Sequence, residues 1–265
     1  MGNAQEDVRI PMMIESSPGP NLVELSASVY KPEGKGPFPL IVINHGTPRN
    51  PDSRKKRVDF SLQGIEFVRR GFVVVVPMRR GFGDSGGDYS ESHGKCSNPD
   101  YYSSGMEASR DIMATVEFMA KQPYVDSTRI LIVGQSAGGF SSLAFGSLNV
   151  KGIVGIINFA GGRGSLKDKS GVCSPKNLIS AVGEFGRNSK VPTLWIYTEN
   201  DSYFSPSLAR DMFDSYIRNG GKGEFVVLPP FKNDGHPMFK TKEGIPIWAP
   251  FVDEFINGLK MLKGT

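Results

Sequence analysis

The sequence predicts an α/β fold, a mainly parallel β-sheet with helices on both faces. Two observations carry this expectation. After Pro39, short apolar runs alternate with segments of helical periodicity, the order of strand–helix–strand units whose strands pair in parallel. The runs Pro39–Asn44, Phe72–Pro77 and Ile130–Val133 are apolar without alternation, as strands covered on both faces are. At 265 residues, with 38% hydrophobic and 22% charged residues, the chain is long enough for a sizeable core. No repeat, low-complexity tract or linker divides it, so residues 1–265 read as a single domain.

Taken in order, Val8–Ile14 and Leu22–Tyr30 read as two strands separated by the turn-forming Ser17-Pro-Gly-Pro20. Their loose alternation suits an antiparallel hairpin near a sheet edge. Pro39–Asn44 is a buried strand, Phe60–Arg70 a helix of moderate periodicity, and Phe72–Pro77 another buried strand. Met106–Ala120 places Met106, Ile112, Met113, Val116 and Met119 at helical spacing. Ile130–Val133 is rich in β-branched residues and reads as a strand, with Ala137–Leu148 as the helix that follows it. Then come strand Gly152–Ile157, helix Lys176–Phe185, strand Thr193–Thr198, helix Ser207–Arg218 and strand Glu224–Leu228. Ala249–Leu262 closes the chain as a helix with Phe251, Val252, Phe255, Ile256 and Leu259 on its apolar face.

Composition removes several function classes. Net charge is +4, but the basic residues are scattered, and the one dense run, Arg54-Lys-Lys-Arg57, reads as a solvated loop or helix start. Nucleic acid is therefore not an expected partner. No apolar run approaches the ~20 residues of a membrane span. Met1-Gly2 is followed at the sixth position by Glu6 rather than the Ser or Thr of a myristoylation signal, and no secretory signal is visible. Oligomeric state has no signature in the sequence. The two cysteines, Cys96 and Cys173, match no metal-ligand spacing and are either free thiols or one disulfide.

The chemistry centres on Gly134-Gln-Ser-Ala-Gly138, a G-x-S-x-G pattern between a strand and a helix. A sharp strand-to-helix turn needs glycines where a β-carbon would clash, and it exposes the Ser136 hydroxyl beside a helix N-terminus that favours developing negative charge. A glycine-rich connection with an incidental serine would show the same five residues; the placement after a strand and before a helix favours a nucleophile. Such a serine needs a base, and only His45, His93 and His236 are present. His236 lies in the loop after the last strand, where reactive groups collect in a parallel sheet. Asp201, after strand Thr193–Thr198, is the expected carboxylate partner, with Glu199 and Asp234 as competitors. The order Ser136, Asp201, His236 is that of a nucleophile-elbow hydrolase. For the oxyanion, the expected donors are the backbone N–H of Ala137 and that of Thr47, in the loop His45-Gly-Thr-Pro48. His45 then reads as a structural residue of this loop.

These segments, with Arg80-Gly-Phe-Gly-Asp-Ser-Gly86, Tyr197-Thr-Glu-Asn-Asp-Ser202 and Asp234-Gly-His236, span nearly the whole chain. Their ordered set resembles the α/β-hydrolases, in the branch of dienelactone-hydrolase-like and prolyl-oligopeptidase-like serine hydrolases. The resemblance implies an eight-stranded sheet with a first antiparallel strand and a Ser-Asp-His triad that needs no cofactor. Dienelactone hydrolases use a cysteine nucleophile where this chain has Ser136, and residues 1–265 hold no counterpart of the large N-terminal propeller of prolyl oligopeptidases. The expected substrate is a small-molecule carboxylic ester, with a peptidase or amidase using the same triad, or a non-catalytic binder on this fold, as alternatives.

Gly81-Phe-Gly-Asp-Ser-Gly86 also matches the G-x-G-x-x-G of dinucleotide-binding loops, but no helix opens at its third glycine, and Glu107, about twenty residues on, falls within a helix. No bound dinucleotide is expected. The long loops Arg79–Tyr102 and Phe159–Pro175 should rise over the catalytic face, with Phe82, Tyr102 and Phe159 as candidate substrate-binding aromatics and Tyr89 and Tyr101 nearby. Cys96 and Cys173 sit one in each loop. A bridge between them would pin the lid and favour a periplasmic or secreted location over a cytoplasmic one.

Overall fold

The predicted strands pair into one sheet in the computed structural model, which describes residues 5–15, 17–166 and 171–261. Met1-Gly2, Leu262 at the end of the last predicted helix, and residues 167–170 of the second long loop lie outside the described residues. Among the described residues the strands are β1 (Gln5–Ile14), β2 (Asn21–Tyr30), β3 (Phe38–Asn44), β4 (Val73–Pro77), β5 (Val125–Gln135), β6 (Ile153–Phe159), β7 (Pro192–Thr198) and β8 (Lys222–Leu228). Their spatial order is β1-β2-β4-β3-β5-β6-β7-β8. β1 and β2 form an antiparallel hairpin from Gln5↔Tyr30 to Ile14↔Asn21, and β2 is antiparallel to β4. Every pairing from β4 to β8 is parallel.

The unbroken apolar runs have a direct cause. Leu40, Val42, Val73, Val75, Ile130 and Ile132 face one core, under helices α2 (Tyr101–Ala120), α3 (Ala137–Gly146), α4 (Pro175–Asn188) and α5 (Pro206–Arg218). Ile41, Ile43, Val74, Val76, Leu131 and Val133 face the other, under α1 (Ser61–Arg69) and α6 (Ile245–Gly258). Successive side chains of a strand point to opposite faces, so both phases must be apolar when both faces are covered. The glycine-rich segment after β4 serves the hairpin: Asp84 accepts from Arg9 at 2.7 Å and from the Ser26 hydroxyl at 2.5 Å, tying β1 and β2 to the sheet.

Two helices begin well before the expected residue. α2 begins at Tyr101, five residues before Met106, with the Asp100 carboxylate capping the Ser103 N–H at 2.9 Å. Its first turn, Tyr101-Tyr-Ser-Ser-Gly105, has no aliphatic residue to show periodicity, yet Tyr101 and Ser104 are buried. A β-carbon on Gly105 would come within 2.8 Å of the Phe185 ring, so close packing on α4 selects this turn. α6 begins at Ile245 rather than Ala249 and ends at Gly258. The buried Trp248, stacked on Phe67 at 5.8 Å, anchors an earlier turn that opens with Pro246, and Pro250 lies inside the helix.

Candidate active site

β5 ends at Gln135 and α3 begins at Ala137, leaving Ser136 alone at the turn with φ 58° and ψ −126°. L-residues rarely adopt this conformation, and here the surrounding packing enforces it. A β-carbon on Gly134 would lie 2.3 Å from the Gly138 carbonyl oxygen, and one on Gly138 would lie 2.1 Å from the Asn44 carbonyl oxygen. The spacing of the motif is thus a steric requirement of the turn. Gly46, across the site, would place a β-carbon 2.9 Å from that of Ser136.

Ser136 Oγ lies 3.0 Å from His236 Nε2, and His236 Nδ1 lies 3.0 and 3.1 Å from the two Asp201 carboxylate oxygens. All three residues are buried to more than nine-tenths. With Nδ1–H donating to Asp201, Nε2 is left to accept from the Ser136 hydroxyl. Asp201 is itself held by the N–H groups of Tyr203 and Phe204, at 2.7 and 3.0 Å. Asp234 has a different job: it accepts from the Ser202 N–H, the Ser202 hydroxyl and the His236 N–H, joining the loops that carry Asp201 and His236. Burial pushes its carboxyl up, but these donors outweigh that and hold it below its ordinary value. Glu199 is exposed and lies outside this arrangement.

Ala137 is the first residue of α3, so its N–H is among those with no intrahelical acceptor. Thr47 lines the cavities on both sides of Ser136. His45 lies beneath: its Nδ1–H donates to the Gly46 carbonyl at 2.8 Å and its Nε2 accepts from the Arg79 N–H at 3.1 Å. Burial, aided by the Arg79 charge, pushes its pKa down from 6.5 to about 3. The unfolded chain protonates this imidazole near 6.5, so its contribution to stability is full above that pH and is lost as pH falls toward 3. Melting temperature should therefore drop between pH 6.5 and 4.5 less steeply in a His45→Gln variant than in the wild type. Equal slopes would refute the assignment.

Two compartments flank Ser136. A cavity of about 240 Å³ extends past Ala137 and Gly162, and one of about 510 Å³ extends past His236 and Lys240. Of the predicted aromatics, Phe82 is fully buried, packs edge-on against His45 at 4.5 Å and contributes to the wall of the larger compartment. Tyr102 does not reach the site: it is on the outer side of α2, stacked on Phe185 at 5.5 Å. Phe159 is also elsewhere, buried below the site against Phe239 at 4.2 Å, because the last residue of β6 faces the α1/α6 core.

The aromatic rings that do line the smaller cavity are those of Tyr89, His93, Tyr203 and Phe204. Tyr203 lies flat on the His236 imidazole, with centroids 3.8 Å apart, and the Arg49 guanidinium lies on the other face of Tyr203 at 3.5 Å. Position two after Asp201 was a sequence signal for Tyr203. Arg49, just after the loop His45–Pro48, had none. Gln135 is a further supporting residue: its side-chain N–H donates to the His236 carbonyl at 3.1 Å.

Cys96 and Cys173 are joined by a disulfide, with Cα atoms 4.9 Å apart and 77 positions of separation. The Cys173 N–H donates to the carbonyl of Gly164, which lines the smaller cavity, at 2.8 Å. Removing the bridge relieves a constraint worth roughly 4 kcal/mol in chain-entropy terms, which for a chain of this size corresponds to a melting temperature lower by about 8 °C. Reduction should also raise KM more than it changes kcat, since the reacting groups lie outside the bridged loops. An unchanged melting curve after reduction and alkylation would refute this.

Residues 19–178 match the family described as X-Pro dipeptidyl-peptidase (S15 family). Over 212 residues the chain is 26% identical to dipeptidyl-peptidase 5 of Porphyromonas gingivalis, covering 72% of this chain and 30% of that protein. The chain thus spans less than a third of that relative's length. Among solved structures, an esterase of Pyrococcus furiosus superposes with a TM-score of 0.65 at 18% identity, covering 96% of this chain and 92% of that one. The acylaminoacyl peptidase of Pyrococcus horikoshii superposes with a TM-score of 0.66 at 18% identity, covering 96% of this chain and 41% of that one.

Proposed function

The chain belongs to the X-Pro dipeptidyl-peptidase family (S15), and on that premise we propose that Ser136, His236 and Asp201 form the catalytic triad of an enzyme that cleaves carboxylic esters. Its fold is that of the α/β-hydrolases, and it is a serine hydrolase. The observation that carries the proposal is the unbroken line from Asp201 through His236 to Ser136, with both links at 3.0 Å.

In this reading Ser136 Oγ attacks the ester carbonyl as its proton passes to His236 Nε2, and Asp201 steadies the resulting imidazolium. The carbonyl oxygen becomes an oxyanion held by the N–H groups of Ala137 and Thr47. His236 then gives its proton to the departing alkoxide, the alcohol leaves, and Ser136 remains acylated. Water, deprotonated by the same imidazole, attacks the acyl-enzyme and releases the acid. Because His236 hands its proton to the leaving group, the alcohol belongs in the compartment lined by His236. The acyl group belongs in the one past Ala137 and Gly162.

A peptidase using the same groups is the second reading, favoured by the family match and by the dipeptidyl-peptidase 5 relative. A panel of p-nitrophenyl esters and dipeptidyl anilides separates the two. Ester turnover far above anilide turnover supports the esterase, and comparable or greater anilide turnover supports the peptidase. The Cys96–Cys173 bridge supports placement in an oxidising compartment, periplasmic or secreted.

A further inference from the structure

We propose that the acyl-side cavity is an anion subsite, and that the preferred substrates are half-esters whose acyl group ends in a carboxylate. The inference rests on the esterase reading for its substrate and on the cavity alone for its charge. Three arginines, Arg49, Arg54 and Arg163, line this cavity, and among the described residues no Asp or Glu does. Neither Arg49 nor Arg54 makes an ion pair among the described residues.

Both guanidinium groups are laid on aromatic rings. Arg49 rests on Tyr203 at 3.5 Å and Arg54 on Tyr89 at 4.0 Å. Arg49 donates to the Ser165 hydroxyl at 2.8 Å, and Arg54 Nε donates to the Pro51 carbonyl at 3.2 Å. Each retains further N–H donors without an acceptor among the described residues. Stacking fixes the planes of these forks before a ligand arrives, and a fixed guanidinium plane suits the two oxygens of a carboxylate.

The buried end of the cavity is also short of negative charge. Arg163, 4% exposed, shares the single carboxylate of Glu91 with Arg79, and its Nε has no acceptor among the described residues. An acyl group carrying a carboxylate would supply the counter-charge that Arg49 and Arg54 lack. One carrying a free ammonium, as the N-terminus of a dipeptide does, would meet like charge.

The test compares kcat/KM for p-nitrophenyl hydrogen glutarate, its neutral methyl ester and p-nitrophenyl 4-aminobutyrate. The half-ester should exceed the neutral ester by roughly 10- to 100-fold, the scale of a charge-assisted hydrogen bond. The cationic ester should be the poorest of the three. Arg54→Glu and Arg49→Gln should each reduce the ratio of half-ester to neutral ester at least tenfold, and Arg54→Glu should raise the relative rate of the cationic ester. A wild-type preference for the neutral ester, or ratios unmoved in both variants, overturns the anion subsite while leaving the esterase intact. If no ester is cleaved, it is the esterase reading that fails. Calorimetric titration of the intact protein with glutarate then decides the subsite: saturable binding lost in Arg54→Glu sustains it, and absent or unchanged binding overturns it.

Discussion

Replacing Ser136 by alanine should lower kcat for ester hydrolysis by on the order of 10⁴- to 10⁶-fold, because the attacking oxygen is the one group the rest of the triad serves. The fold should be untouched. Ser136 is held at φ 58° by the packing of Gly134, Gly138 and Gly46, and alanine has the same β-carbon. Its hydroxyl partner is His236, so the substitution leaves no other hydrogen bond broken. The far-UV spectrum and melting temperature should match the wild type, and fluorophosphonate labelling should disappear. Activity within about tenfold of wild type would remove Ser136 from the chemistry.

Asp201→Asn should cost roughly 10⁴-fold in kcat. The carboxylate meets His236 Nδ1 with both oxygens and is aimed by the N–H groups of Tyr203 and Phe204. An asparagine can keep those backbone bonds, but it offers no charge to the imidazolium and can turn an N–H toward Nδ1, which selects the wrong tautomer. Two control substitutions make the ranking a test. Glu199→Gln should stay within about twofold of wild type, since that side chain is exposed and away from the imidazole. Asp234→Asn should act mainly on stability, by about 1 kcal/mol, through the weakened link to the Ser202 hydroxyl. If either control fell as far as Asp201→Asn, the partner of His236 would have to be reassigned.

The sequence by itself determined the α/β class, the order of strands and helices, and the place of Ser136 at the strand-to-helix turn. Each of these rests on a short-range constraint. A strand covered on both faces must be apolar in both phases, and a strand-to-helix turn as sharp as that at Ser136 admits only glycine at positions 134 and 138. Tertiary structure decided what depends on contacts between distant segments. The sequence favours Asp201 over Glu199 and Asp234 as the carboxylate, but only the meeting of the loops after β7 and β8 puts one of them against Nδ1. Of the predicted aromatics, Phe82 and Tyr89 line the compartments, and Tyr102 and Phe159 do not, for the same reason. A ring's chain position places it near the catalytic edge, but its strand phase or helix face sets its direction, which sends Phe159 into the core and Tyr102 onto Phe185. Arg54, read in sequence as part of a solvated loop or helix start, and Arg49, which had no sequence signal, acquire a chemical role only because Tyr89 and Tyr203 arrive from other loops to hold them flat beside Ser136.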